Sequence, residues 1–172
     1  MSRVTMIGMP GSGKSVVGGL VAERLGWQFL DTDKVIEARC GLMLQELIDQ
    51  VGESAFLEIE EKTLLEVDFP DRCVIAPGGS AIYSEAGMRR LAALSTVIFL
   101  DAPLAEVREH IAGQAPRGII GLTDAGSLEA LLAVRLPLYR RWAHLSVSCC
   151  ETTAEVEAEQ VLAQLAAYWH KD

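Results

Sequence analysis

The sequence predicts an α/β protein with an open parallel sheet flanked by helices on both faces, and three observations carry that expectation. Short apolar runs at residues 4–7, 27–30, 73–76, 96–100 and 145–148 alternate with longer stretches whose apolar residues recur at helical spacing. The run at 96–100, Thr-Val-Ile-Phe-Leu, is almost wholly apolar, as a strand covered on both faces must be. A glycine loop, G-M-P-G-S-G-K-S at residues 8–15, stands between the first strand and the first helical stretch.

In chain order, Val4-Thr5-Met6-Ile7 forms the first strand, and a helix follows the glycine loop over 16–25. The second strand, 27–30, stops at Asp31-Thr32-Asp33, where a helix begins over 31–37 and is broken by Gly41. Residues 42–51 are amphipathic up to Gly52, and 53–67 make a further helical segment ending near Pro70. The strand at 73–76 runs into Pro77-Gly78-Gly79-Ser80, a helix covers 85–94, and the strand at 96–100 ends at Asp101. Residues 113–118, Gly-Gln-Ala-Pro-Arg-Gly, lack apolar periodicity and read as a mobile loop. Helical spacing returns over 128–143 with Pro137 inside it, and a closing amphipathic helix spans 153–168 after the last strand. Asp, Ser or Thr stands near several helix starts, as caps do.

The length of 172 residues fits one domain, 1–172, with no repeat, low-complexity tract or charge block. A net charge of −9 argues against nucleic acid as a partner, because phosphate-backbone affinity comes from clustered Lys and Arg. No apolar stretch reaches membrane-spanning length and the N-terminus enters the first strand at once, so a cytoplasmic, monomeric protein is expected. Cys40, Cys73, Cys149 and Cys150 have no C-x-x-C spacing and read as free, buried thiols. His110, His144 and His170 fall on no metal-binding pattern and read as surface or packing residues.

The glycine loop is a complete G-x-x-x-x-G-K-[ST] match in the strand–loop–helix context its chemistry needs. Backbone N–H groups of Gly11, Ser12, Gly13, Lys14, Ser15 and Val16 turn inward around phosphate, Lys14 reaches the β- and γ-phosphates, and the Ser15 hydroxyl ligates Mg²⁺. In an open parallel sheet the ligand sits beyond the carboxyl ends of the strands. Asp31 and Asp33 follow the second strand and Gly78 and Gly79 the third, so three motifs meet at one edge.

These residues carry a resemblance to the shikimate kinase family over nearly the whole chain: the phosphate loop, L-D-T-D at 30–33, G-E-S-A-F-L-E-I-E at 52–60, P-G-G-S at 77–80, the lid arginine Arg117 and R-L-P-L-Y at 135–139. The resemblance implies a P-loop kinase fold with a lid at about 112–124 and an acceptor-binding helical region at about 33–62. It implies ATP as co-substrate, Mg²⁺ held by Ser15 and through water by Asp31, and phosphorylation of shikimate to shikimate 3-phosphate. Lys14, Asp33 and Arg117 are then the catalytic set: Asp33 orients the acceptor hydroxyl, and Arg117 neutralises the transferring phosphoryl group and touches ATP. Leu57, Gly78, Gly79 and Arg135 join Asp33 as acceptor-binding positions, with the planar fork of Arg135 on the acceptor carboxylate. Arg108 has two readings, an approach to the adenine side or a plain helix-surface arginine.

The chain departs from the family pattern at three places. The lid reads Pro116-Arg117-Gly118 where arginine–proline is typical; the third glycine of the P-G-G segment is Ser80; and the arginine of the F-R-x-x-E motif is Leu57. A charge-assisted pair to a carboxylate contributes roughly 1.5–3 kcal/mol, so losing one weakens an anionic acceptor by about ten- to a hundredfold unless another cation substitutes. Glu60, left without that cation, would suit an ammonium, which makes homoserine or another hydroxy amino acid the alternative acceptor. A nucleotide-dependent switch without turnover is the reading from a different class.

Overall fold

The computed structural model describes residues 2–113, 118–149 and 153–170. Five strands, β1 (Arg3–Ile7), β2 (Gln28–Asp31), β3 (Cys73–Ala76), β4 (Thr96–Asp101) and β5 (Leu145–Ser148), form one sheet in the order β2-β3-β1-β4-β5. Every pairing is parallel, with Val4 beside Val74 and Thr96, and Leu30 beside Ile75. Eight helices accompany it among the described residues: α1 (Lys14–Leu25), α2 (Thr32–Cys40), α3 (Leu44–Glu66), α4 (Glu85–Leu94), α5 (Leu104–Ala112), α6 (Leu122–Ala125), α7 (Leu128–Trp142) and α8 (Ala154–Trp169). The fold is the expected parallel α/β arrangement.

Strand alternation explains the two-faced core. Val4 and Met6 of β1, Val74 of β3 and Ile98 and Leu100 of β4 pack against Val17 and Val21 of α1 and Val161 and Leu165 of α8. Ile7, Cys73, Ile75, Val97 and Phe99 point the other way, toward Leu64, Met88, Leu91, Leu131 and Tyr139. Each such aliphatic side chain contributes about 1.5–3 kcal/mol on burial, so sheet and both helical layers form together. A third, smaller cluster, Ile36, Leu47, Ile48, Phe56 and Ile120, ties α2 and α3 to the segment before α6.

The two amphipathic stretches that the sequence separates at Gly52 share the span of α3 but are broken there as expected, since Gly52 takes a non-helical φ 81° and ψ 163°, a conformation open to residues without a Cβ. Two differences from the sequence expectation are local. A 3-10 turn at Ala81–Tyr83 and the short α6 escape periodicity because neither is long enough to show one. Cys40 is exposed rather than buried; Cys73 and Cys149 are free and buried as expected, and Cys150 lies outside the described residues. Pro137 sits inside α7, which continues through it to Trp142. The loop expected at 113–118 falls mostly on residues 114–117, outside the described set.

Where β1 meets the turn after α4, Ser95 Oγ donates to Leu91 O at 2.7 Å and lies 2.7 Å from Thr5 Oγ1, both side chains being buried. Ser95 has one hydroxyl proton, so Thr5 is the donor between them. Ser95→Ala therefore orphans the Thr5 hydroxyl and is expected to cost about 1–3 kcal/mol, whereas Thr5→Val leaves no buried donor unpaired and costs about 1 kcal/mol or less. Urea denaturation of both variants checks the order; the reverse order sinks this chain of donors.

Candidate active site

The carboxyl ends of β1, β2 and β3 converge on one cleft, because parallel strands deliver all their following loops to the same edge. From β1 comes the phosphate loop. Gly13 takes φ 86° at the N-terminus of α1, where an L side chain would be strained, and its carbonyl receives Val17 N–H at 2.8 Å. This frees the first-turn amides of α1, where an anion also meets the positive end of the helix dipole. Lys14 Nζ folds back over the loop, donating to Gly8 O at 2.9 Å and Met9 O at 2.8 Å. Ser15 Oγ donates to Asp31 Oδ2 at 3.0 Å, while Asp31 Oδ1 accepts from Asp33 N–H at 2.9 Å and so caps α2. A hydroxyl and a carboxylate at hydrogen-bond distance are hard oxygen donors of the kind Mg²⁺ takes when it keeps most of its water.

Across the cleft stand Asp33, Phe56, Gly78, Gly79 and Arg135. Arg135 is fully buried on α7. Its Nη2 donates to Ile120 O at 2.7 Å, its Nε donates to Tyr83 Oη at 3.2 Å, and the guanidinium lies over the Tyr83 ring at 5.3 Å from the centroid. Its Nη1 has no hydrogen-bond partner among the described residues. Four residues along α7, on the same face, Tyr139 Oη donates to Gly79 O at 2.8 Å. Burial pushes the Tyr139 phenol above its ordinary range, which keeps it a donor. That bond fixes the peptide beside Gly79, whose own Cα is hemmed in: a Cβ there would meet Pro10 Cδ at 2.7 Å and Arg135 Nη1 at 3.0 Å.

Behind this wall lies Glu60, 1% exposed, which accepts from Ser80 Oγ at 2.8 Å. Burial, reinforced by the neighbouring Asp33 charge, pushes its carboxyl up to about 8, against the opposing pull of Ser80, Arg135 and Lys14. Leu57 does not line the cleft: it faces a separate depression with Glu58, Glu60, Glu61, Tyr83 and Ser84. The physical reason is helical phase, since residue 57 lies one position and roughly 100° round the helix from Phe56, which does line it.

A second cavity continues the first around the phosphate loop, sharing Gly11, Gly13 and Val16 and adding Ser12, Glu106, Glu109, His110, Ala154 and Glu157. Ser12 thus faces this side rather than the cleft. His110 is exposed, as expected, and its Nδ1 lies 2.8 Å from Gly11 O, which places it against the phosphate loop. Arg108 is ion-paired with Glu129 and lines neither cavity. Arg117 lies outside the described residues. The structure thus brings together Gly11, Gly13, Lys14, Ser15, Val16, Asp31, Asp33, Gly78, Gly79 and Arg135. The sequence reading missed His110, Tyr83 and the Ser80–Glu60 bond, and gave Tyr139 no role; only Tyr139, within R-L-P-L-Y, carried a signal.

A phosphate loop facing an anion-binding cleft across the carboxyl edge of a parallel sheet defines the small-molecule P-loop phosphotransferases as a class. Residues 10–166 match the shikimate kinase family model. The chain is 36% identical over 162 residues to the shikimate kinase of Thermobifida fusca, covering 94% of each chain. It is 38% identical over 149 residues to that of Paracidovorax citrulli, covering 84% of this chain and 81% of the relative. The solved structure of shikimate kinase from Acinetobacter baumannii in complex with shikimate superposes with a TM-score of 0.87 at 27% identity, over 98% of this chain and 94% of that one. The chain belongs to the shikimate kinase family, whose members are ATP-dependent phosphotransferases.

Gly79→Ala tests how tightly the cleft wall is set. Pro10 belongs to the phosphate loop and Arg135 is fixed by two bonds, so neither yields cheaply to the added methyl. We expect kcat/KM for the acceptor to fall by about a hundredfold and the fold to lose about 1–3 kcal/mol; steady-state kinetics and a melting curve read both, and a kinetic loss under about threefold would mean the wall gives way.

Proposed function

We propose that this chain transfers the γ-phosphoryl group of ATP to a hydroxyl of shikimate, giving shikimate 3-phosphate. The observation that carries the reading is Arg135. A fully buried guanidinium with two groups bonded and Nη1 left over, in a cleft shared with Asp33 and the phosphate loop, suits an acceptor that brings both a carboxylate and a hydroxyl. Asp33 orients the acceptor hydroxyl and receives its proton as the oxygen attacks phosphorus. Lys14 swings from the Gly8 and Met9 carbonyls to the β- and γ-phosphates and offsets the charge that builds there. The Gly79 peptide, steadied by Tyr139, offers its N–H between the two reactants.

Ser15 and Asp31 would hold Mg²⁺, largely through water, and that ion would supply charge neutralisation on the phosphate oxygens. The nucleoside end of ATP fits the second cavity, which is continuous with the first around Gly11 and Gly13. The homoserine alternative required Glu60 as an ionised anchor for an ammonium; Glu60 is instead a buried acid outside the cleft lining, so shikimate is the better fit. The chain is read as a cytoplasmic monomer, the free thiols of Cys73 and Cys149 suiting a reducing compartment. Among the described residues no helix is long and apolar enough to cross a membrane.

A coupled assay of ADP release with shikimate, homoserine, gluconate and serine tests the acceptor. Shikimate should exceed each of the others by at least about a hundredfold in kcat/KM, and a larger value for homoserine would overturn the assignment. Lys14→Ala should fold normally and lose about a hundredfold or more in kcat. A variant keeping more than about a tenth of the wild-type rate would show that this lysine does not carry the transition-state charge.

A further inference from the structure

We propose that Glu60 is a positioning residue of the acceptor site: it sits beneath Gly78 as a neutral acid bonded to Ser80, and its proton leaves Asp33 as the one carboxylate charge beside the field of Arg135. The inference rests on the acceptor reading above. Its geometry begins at Gly78, whose Cα lies under two carboxyl groups at once: a Cβ there would meet Glu60 Oε1 at 2.5 Å and Asp33 Oδ1 at 2.8 Å. A buried carboxyl group beside a half-buried one whose Oδ1 is shielded from solvent ionises at a cost, and no Lys or Arg forms an ion pair with Glu60 among the described residues.

The groups facing Glu60 bear this out element by element. From α2 comes Asp33, from α1 Lys14, from α7 Arg135 and Tyr139, and from the connection after β3 the Ser80 hydroxyl. Lys14 donates to the Gly8 and Met9 carbonyls and Arg135 to Ile120 O and Tyr83 Oη, and both lower the Glu60 carboxyl only through space, without an ion pair to it. Other cations near α3 are turned elsewhere: Arg39 pairs with Glu66, and Arg90 donates to Leu64 O. On α3 itself, Glu58 and Glu61 share the depression beside Glu60, with Ser84 donating to Glu61, and so add no positive charge. Ser80 donates to Oε2, which leaves Oε1, without a partner among the described residues, as the natural seat of the proton.

When Glu60 ionises, a second negative charge appears behind the cleft wall and cancels part of the attraction Arg135 exerts on an anionic acceptor. The effect should fall on KM for the acceptor more than on kcat. Its pH follows from burial, which with Asp33 raises the Glu60 carboxyl to about 8. Ser80 opposes that rise by bonding the ionised form, so removing the hydroxyl moves the transition upward.

The experiment measures kcat and KM for shikimate between about pH 6 and about pH 9.5 in the wild type, Glu60→Gln and Ser80→Ala. In the wild type kcat/KM should fall by about tenfold through the transition to a lower plateau, chiefly through KM; the fall should be absent in Glu60→Gln and displaced to higher pH in Ser80→Ala. The same alkaline fall in all three overturns the proposal. A second reading is independent of activity. Because the folded chain keeps a proton that the unfolded chain has lost, wild-type stability is full below the unfolded carboxyl value near 4.5 and drains away as pH rises to about 8. The melting temperature of Glu60→Gln should therefore gain on the wild type across that window and level off above it, and a constant gap overturns the proposal. Should shikimate not be a substrate, the kinetic arm reports failure of the acceptor assignment, while the melting arm still decides the protonation of Glu60.

Discussion

A single buried guanidinium sets the terms for half of this molecule. Removing Arg135 from water carries a desolvation penalty of several kcal/mol, and a site that imposes it must return hydrogen bonds in good geometry. The Ile120 carbonyl, the Tyr83 hydroxyl and the Tyr83 ring return most of them. They come from two distant parts of the chain, so the 3-10 turn after β3, the segment before α6 and the middle of α7 are locked to one another by one side chain. The segment before α6 is held again by Glu53, whose carboxylate accepts from Gly121 N–H at 2.8 Å just past the α3 kink. The helix that borders the cleft and the segment before α6 are thereby tied to the same anchor.

The charge distribution becomes intelligible from that point. A chain with net charge −9 in a family of ATP-dependent phosphotransferases needs its cations where solvent screening is weakest. Lys14 and Arg135 are the buried ones, and they stand on opposite sides of one cleft. The carboxylates Glu106, Glu109 and Glu157 collect around the second cavity, beyond the phosphate loop, where the uncharged base of a nucleotide tolerates them better than its phosphates would.

Much of this was legible in the sequence, for a definite reason. The phosphate loop, the Asp31-Thr32-Asp33 cap and the Gly78-Gly79 pair are local motifs, and a parallel sheet carries everything after its strands to one edge, so position along the chain became position in space. Strand limits at 73–76 and 145–148 were set by turn residues on either side and fell where expected. Contacts between distant elements left no such trace. His110 reaches Gly11 O only because α5 passes beside the loop, and Ser80 meets Glu60 across 20 residues. Gly52 was legible as a helix break because glycine is the residue that takes a left-handed φ at little cost, and its φ 81° and ψ 163° interrupt the helical backbone there.

Leu57 shows how a correct observation can point to the wrong consequence. The sequence departs from its family there, and the natural inference is a changed cleft wall. On the helix, however, Phe56 and Glu60 are four residues apart and share a face, while residue 57 turns away into the depression flanked by Glu58 and Glu61. A long cationic side chain at that position can bend back toward the cleft; a leucine cannot, and packs instead against the small cluster around Phe56 and Ile120. The missing cation is therefore felt by Glu60 rather than by the cleft lining. An acid deprived of its counterion in a dry site has two ways to limit the cost, a hydrogen-bond donor or a proton of its own. The hydroxyl at Ser80, where the family carries glycine, supplies the first, and the raised affinity of Glu60 for a proton supplies the second. The residues at 57 and 80 thus both bear on Glu60, Leu57 by bringing no cation to its depression and Ser80 by a hydrogen bond that only the folded chain can form.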